Sequence, residues 1–325
     1  MQNLNNPHST ATALPPALLL MGPTASGKTA VAIAIAKQLP CEIISVDSAQ
    51  IYLDMNVGTA KPELEILAHT PHHLINIISP EHSYSAARFC DDALDLMHKI
   101  TARGRIPLLV GGTMLYFKAL LEGLNSLPQA DPEIRQAIED QAASAGWSAV
   151  YNELQTVDPV TANRLQPGDT QRVQRALEIY RITGQAMSAL LDAPRLQNFP
   201  YRAITIALTP SVRAELHQRI AVRFNHMLAQ GLVDELTALK KTYNLHAQLP
   251  AMRCVGYRQA WDFLNNQINQ TQLREQGIAA TRQLAKRQLT WLRAMPELTT
   301  FDCLDNDLET QVLQYIQHQL KSFNS

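Results

Sequence analysis

The stretch Gly22–Thr29, GPTASGKT, fits the pattern G-x-x-x-x-G-K-[ST]. It follows an apolar run and opens a helical one, the setting in which this pattern builds an anion hole. Successive backbone N–H groups and the helix N-terminus converge on phosphate oxygens. Gly22, Pro23, Thr24, Ala25, Ser26, Gly27, Lys28 and Thr29 are therefore the candidate phosphate loop. Lys28 adds a point charge, and the Thr29 hydroxyl is placed to hold a Mg²⁺ that bridges phosphates. The loop implies a diphosphate or triphosphate ligand, which is less than implying that ATP is hydrolysed. An ordinary ATPase carries a metal-holding Asp at the end of a later apolar strand. Here the later run, Ile106–Val110, ends in Gly111-Gly112-Thr113 with no acid. The acid stands instead after Glu42–Val46, as Asp47 followed by Ser48. Strand ends at the carboxyl edge of a parallel sheet face the ligand crevice, so Asp47 belongs beside the bound phosphates. A carboxylate there suits a general base acting on an incoming nucleophile. It suits equally well a cap on the next turn, or a hold on Mg²⁺ through water.

Three stretches are basic. Thr281–Arg293, TRQLAKRQLTWLR, carries four cations and no acid. On a helix turning about 100° per residue, Leu284, Ala285, Gln288, Leu289, Trp291 and Leu292 share one broad arc. Arg282, Lys286 and Arg293 fall within about 40° of one another on the opposite arc. Arg253–Arg258 sets two arginines around a Gly-Tyr step, and Gln171–Arg175 sets two more at i, i+3. Taken singly, such runs are usually solvated helix faces. Three of them with a phosphate loop in a near-neutral chain point to a track for a polyanion. Arg213, Arg219 and Arg223 follow the run Tyr201–Leu208, and one of them could reach a leaving phosphate; spacing does not say which. His72-His73 makes a poor metal pair, because adjacent side chains point apart and no third ligand follows at a useful spacing.

These groups need a scaffold. Ala17–Met21 reads as a buried strand and Lys28 to about Leu39 as a helix. Glu42–Val46 reads as a second strand, Ser85 as the N-cap of a helix reaching about Arg103, and Ile106–Val110 as a third strand before a helix at 114–122. Alternating strand and helix is the grammar of a parallel α/β sheet. Residues 56–80 look irregular. From 124 to 199 the grammar becomes all-helical, with Asp131-Pro132 and Asp158-Pro159 each reading as N-cap plus first helical position. Helices are expected near 131–145, 147–156, 159–165, 169–183 and 186–192. Tyr201–Leu208 then returns to the sheet, with helices near 211–229, 232–243, 255–265 and 271–293. The expected organisation is a loose tail at 1–16, an α/β core at 17–123 and 200–310, and an all-helical insertion at 124–199.

Composition sets outer limits. The chain has 325 residues, of which 46% are apolar, so a packed core of about two domains is expected. Its 28 basic and 29 acidic residues give a net charge of −1, so any polyanion must be held by local patches. The longest apolar runs, Ala17–Met21 and Ala30–Ala36, fall far short of the roughly 20 residues of a membrane span. The N-terminus lacks the pattern of a signal peptide. Cys41, Cys90, Cys254 and Cys303 are widely spaced, which argues against structural zinc and for a reducing, cytoplasmic setting.

MGPTASGKT, ISVDSAQIY, GTAKP, LLVGGTMLYFKALLEGL, QRVQRALE, RCVGYRQ and ATRQLAKRQLTWLR occur in this order and spacing. Together they closely resemble the bacterial tRNA dimethylallyltransferase family, from about residue 17 to 295. The resemblance implies a P-loop kinase-like core with a helical insertion that binds tRNA. It implies transfer of a dimethylallyl group from dimethylallyl diphosphate to N6 of adenosine 37, just 3′ of the anticodon. The tRNAs served would be those reading codons that begin with U. It makes Asp47 the base, with Thr24, Lys28 and Arg223 on the oxyanion and diphosphate and Mg²⁺ as cofactor. Its tRNA contacts align with Asp47, Ser48, Ala49 and Gln50; with Thr113 and Arg135; and with Gln171, Arg172, Val173, Gln174 and Arg175. They continue through Arg253, Cys254, Val255, Gly256, Tyr257 and Arg258, then Lys286, Arg287, Gln288, Leu289, Thr290, Trp291, Leu292 and Arg293. Gln50 departs from the family, whose members often carry an apolar residue there. Eukaryotic relatives can add a C-terminal zinc finger, which the cysteine spacing does not provide. The implied partners are an anticodon stem-loop and the isoprenoid donor, with no membrane, no obligate protein partner and a monomeric state. Two rivals stand beside this reading: a P-loop kinase for a small molecule, and a nonenzymatic RNA-binding switch.

Overall fold

The computed structural model describes residues 14–125, 127–192 and 199–322. Among them six strands pair in parallel: β1 (Pro16–Met21), β2 (Cys41–Val46), β3 (His72–His73), β4 (Ile106–Gly111), β5 (Arg202–Thr209) and β6 (Thr299–Asp302). Their order across the sheet is β3-β2-β4-β1-β5-β6. β1 lies inside the sheet with Ala17, Leu18, Leu19 and Leu20 all at 0% exposure, which is why its sequence is continuously apolar rather than alternating. The first four helices, α1 (Lys28–Gln38), α2 (Leu64–His69), α3 (Ala86–Ala102) and α4 (Met114–Glu122), alternate with β1 to β4. The run AVAIAIA falls in α1, whose Val31, Ala32 and Ile35 are buried in the same cluster as Leu18, Leu20, Ile43 and Leu108.

Residues 119–199 form one compact unit and the remainder of the chain another. The first is all helix: α5 (Pro132–Ala145), α6 (Trp147–Val157), α7 (Pro159–Ala162), α8 (Thr170–Thr183) and α9 (Met187–Asp192). Its own core is built from Ile138, Val150, Leu154, Val173 and Leu177. The predicted caps form. Asp131 accepts from the N–H groups of Glu133 and Ile134, Asp158 from that of Thr161, and in the other unit Ser85 from that of Arg88. After β5 come α10 (Arg213–Ala229), α11 (Leu232–Thr242), α12 (Tyr257–Leu264) and α13 (Gln270–Ala294), and after β6 comes α14 (Leu308–Lys321).

Four elements escape the sequence reading. The expected irregular stretch 56–80 holds α2 and β3; β3 is two residues long, too short for any periodicity to register. β6 (TTFD) is a half-exposed edge strand without an apolar run. α14 closes the core with Val312 and Ile316, beyond the last predicted helix. The expected tail largely lies outside the described residues, but Pro16 already pairs with Arg202 in the sheet.

Register places the chemistry. Met21 pairs with Gly111 and Ala207, and Gly111 pairs with Val46. The segments that follow β1, β2 and β4 therefore leave the carboxyl edge side by side. They are the phosphate loop, Asp47-Ser48 and Gly112-Thr113.

Candidate active site

The phosphate loop joins β1 to α1 and is shaped by its glycines. A Cβ on Gly22 would lie 2.7 Å from Ser26 Oγ and 2.9 Å from Leu208 O. Gly27 takes φ 83°, the left-handed conformation that favours glycine, and α1 starts at the next residue. Lys28 Nζ donates to Pro23 O at 2.6 Å and lies 3.5 Å from Ser26 Oγ. Burial pulls the Lys28 ammonium down to about 7, helped by the nearby Arg223 guanidinium and opposed by Asp47.

Asp47 follows β2. Its Oδ1 accepts from Ala49 N–H at 2.8 Å and Gln50 N–H at 3.3 Å, while Oδ2 has no hydrogen bond among the described residues. Of the three roles left open by the sequence, the cap is filled by Oδ1, and Oδ2 remains available to a ligand. Thr113 steadies this turn: its N–H donates to Val46 O at 3.2 Å, and its Oγ1 accepts from Ser48 N–H at 3.0 Å. Gln50 is a brace. Its Oε1 accepts from Ser45 Oγ, and its Nε2 donates to the Thr59 and Ala60 carbonyls of the GTAKP segment.

These groups line one cavity of about 590 Å³. Thr24, Lys28, Thr29, Asp47 and Arg223 share it with Ile220, Phe224, Met227 and Leu284, so its lining combines charged and apolar side chains. Arg223 is the arginine of its helix that enters. Arg219 donates to Cys303 O at 3.0 Å, and neither Arg219 nor Arg213 lines this cavity. Burial pulls the Arg223 guanidinium below its ordinary range, and Asp47 opposes that pull. Thr113, Arg253, Cys254, Val255, Arg287 and Trp291 also line the cavity. Burial pushes the Cys254 thiol up to about 12.

Elsewhere the predicted contact residues divide. On α13, Arg282, Lys286 and Arg293 are exposed as the helical arc requires, and Arg287 and Thr290 are exposed as well. Gln288 and Leu292 are buried and Leu289 half-buried. Val173, Gly256 and Tyr257 are also buried, whereas Gln171, Arg172 and Arg258 are exposed. Within the helical unit, Arg135 and Arg175 answer first to a glutamate the sequence did not single out. Glu178, at 0% exposure, accepts from Arg135 Nε at 2.8 Å, from Arg175 at 2.6 Å and from Asp131 N–H at 2.9 Å. Burial works to raise its carboxyl, and these hydrogen bonds outweigh that and hold it below the usual range. Gln174 donates to Glu139. His73 Nε2 meets Glu42 at 2.9 Å and His72 Nδ1 meets Thr70 O, so the two histidines turn to different partners.

A second unheralded carboxylate is Glu235 on α11. It accepts from the N–H groups of Asn56, Val57 and Gly58 and from Tyr257 Oη at 2.6 Å. Tyr257 in turn occupies the space a Cβ on Gly58 would need, 2.5 Å away. The GTAKP and RCVGYRQ motifs are therefore two sides of one joint. Nothing local in the sequence marks Glu235, which lies between them in a run of ordinary helix.

The description "IPP transferase" belongs to the family model that matches residues 50–295. The chain is 59% identical over 308 residues to the tRNA dimethylallyltransferase of Azoarcus sp. (strain BH72), covering 94% of this chain and 96% of the relative. It is 55% identical over 305 residues to that of Nitrosomonas eutropha, with shares of 94% and 96%. Among solved structures it is similar to the full-length tRNA isopentenylpyrophosphate transferase of Bacillus halodurans. That match has TM-score 0.69 and 35% identity, covering 95% of this chain and 97% of the other. It is also similar to a eukaryotic dimethylallyltransferase captured acting on tRNA. There the TM-score is 0.77 and the identity 26%, covering 95% of this chain and 80% of the other.

Proposed function

The chain belongs to the IPP transferase family, and from that premise we propose that it transfers a dimethylallyl group from dimethylallyl diphosphate to N6 of adenosine 37 in tRNA. The observation that carries this reading is the single cavity. A phosphate loop, two cations and a half-engaged carboxylate line it together with the apolar side chains of Ile220, Phe224, Met227 and Leu284. The diphosphate suits the loop and the five-carbon chain suits the apolar side chains. No helix among the described residues is long and apolar enough to cross a membrane.

The chemistry divides among these residues. The bond from C1 to the bridging oxygen breaks, and its electrons leave with the diphosphate. Lys28, Arg223, the loop amides and the Thr24 hydroxyl stabilise that growing charge. Adenine N6 is a poor nucleophile because its lone pair is delocalised into the ring. As it bonds to C1 it gives a proton to Asp47 Oδ2, the oxygen not engaged by the turn. The cationic character gained at C1 must be kept from water, which is the part the apolar lining side chains would play. The adenosine leaves the anticodon-loop stack to reach the cavity. An oxygen donor fits a magnesium ion: the Thr29 hydroxyl lines the same cavity, and Mg²⁺ ordinarily takes one or two protein oxygens plus substrate phosphates. When bound it supplies further positive charge against the leaving diphosphate. Mass spectrometry of bulk tRNA from cells with and without this protein tests the activity. Loss of N6-dimethylallyladenosine with the protein supports it, and unchanged tRNA overturns it.

Donor binding should depend on pH. Free Lys28 titrates near 7, and a bound polyanion raises that value. The charged form is then favoured in the complex, so donor binding weakens as pH rises above about 7. At pH 8, above the second phosphate ionisation near 6, close to one proton should be taken up per donor bound. Calorimetry in two buffers of different ionisation enthalpy reads this directly; equal heats in both would contradict it.

The exposed cations of α13 should act on RNA through phosphates. Replacing Arg282, Lys286 and Arg293 with glutamine should lower the slope of log affinity against log salt by roughly 0.7–0.9 per lost contact. Donor affinity should stay the same. An unchanged slope would make the ridge an ordinary solvated face.

A further inference from the structure

Gln288 sits on α13 between Arg287 and Trp291, and all three line the cavity, but the Gln288 side chain is itself buried. Its Oε1 accepts from Thr24 N–H at 2.9 Å, and its Nε2 donates to Gly112 O at 2.8 Å. One partner can only donate and the other only accept, so the amide has a single orientation. Thr24 belongs to the phosphate loop. Gly112 precedes Thr113, whose hydroxyl holds Ser48 N–H beside Asp47. The backbone opposite is shaped for this side chain: a Cβ on Gly112 would lie 2.3 Å from Gln288 Nε2. A residue that merely filled space would need neither two backbone partners of opposite polarity nor a glycine facing it.

We propose that Gln288 is a positioning residue, rather than the tRNA contact implied by resemblance, and that it sets the phosphate loop against the turn carrying Asp47. The inference rests on the prenyl-transfer reading, in which these two loops hold the leaving diphosphate and the base. The reacting atoms must approach to about 3–3.5 Å, and a shift of about 1 Å can lower a rate by a factor of about 10². One buried amide bonded to both loops fixes their separation before either substrate arrives.

Three variants test it. Gln288→Met keeps length and volume and loses both hydrogen bonds. Gly112→Ala pushes the amide aside without altering Gln288. Gln288→Glu restores both bonds only when its carboxyl is protonated, donating to Gly112 O and accepting from Thr24 N–H. Single-turnover rates with saturating RNA and dimethylallyl diphosphate should fall about 10- to 100-fold in the first two, while pyrophosphate affinity changes by less than about threefold. The Gln288→Met/Gly112→Ala double variant should be no slower than the slower single variant, because both break one link. The Gln288→Glu rate, as a ratio to wild type at each pH, should rise as pH falls toward the glutamate range. A lowered melting temperature with wild-type rates below it, additive losses in the double variant, or a flat pH ratio would each overturn the proposal. If Gln288→Met does not fold, the glycine and glutamate variants decide. Failure of wild type to prenylate RNA would sink the functional reading; active wild type with unaffected variants would sink only this inference.

Discussion

Asp47→Asn should lower the single-turnover rate by about 10²- to 10⁴-fold, the usual contribution of a positioned general base. The amide preserves the shape and can still cap the turn through its oxygen toward the N–H groups of Ala49 and Gln50, so the loop should remain in place. What it loses is the basic oxygen that takes the N6 proton. Affinity for dimethylallyl diphosphate should change little, and extra Mg²⁺ should not restore the rate. A metal-holding role would give the reverse: weakened donor binding that extra Mg²⁺ partly repairs. Near-normal single-turnover rates would leave the proton going to water or to the departing diphosphate, and the base would have to be removed from the account.

Arg223→Gln should cost about 10²- to 10³-fold in kcat, the range seen when one donor to a developing oxyanion is removed. The guanidinium is held in the cavity against the pull of burial, with Asp47 favouring its charge. Its interaction strengthens as negative charge develops on the leaving diphosphate, so the loss should fall more on kcat than on donor affinity. Arg219→Gln is the matched control, because Arg219 is bonded to Cys303 O and lies outside the cavity. Removing Arg223 also removes a charge that depresses Lys28, so the midpoint of donor binding should move to higher pH. A raised KM with unchanged kcat would mean that Arg223 holds substrate and transition state equally, and would contradict its placement on the leaving group.

The sequence was most legible where local rules govern. The phosphate loop is a contiguous motif with its own glycine requirements, and Asp131, Asp158 and Ser85 announce helix starts by capping chemistry that acts within three residues. Arg223 shows the limit of spacing alone: three arginines share one helix, and only the packing of α10 against α13 selects the one that enters the cavity. Gln288 looked like one more member of an RNA-facing helix, because a glutamine on an apolar arc gives no hint of two backbone partners 264 and 176 residues away. Arg135 and Arg175 read as tRNA contacts, with no sign of the buried Glu178 that both of them meet and that lies distant in sequence from Arg135. Glu235 left no mark at all, since its three amide partners lie about 180 residues upstream. β6 and α14 escape for different reasons. An edge strand of mixed polarity carries a weak pattern of its own, whereas α14 buries Leu308, Val312, Leu313 and Ile316 at helical spacing, a legible pattern passed over because the resemblance ends before it.

The most direct test uses purified protein, Mg²⁺, dimethylallyl diphosphate and an unmodified anticodon stem-loop RNA with adenosine at position 37, with ATP supplied as a competitor substrate. Nucleoside mass spectrometry after digestion should show one five-carbon unit on N6 of that adenosine, one diphosphate released per transfer and ATP intact. RNA of unchanged mass with ATP consumed, or RNA bound tightly with no product formed, would contradict the assignment of this cavity to prenyl transfer.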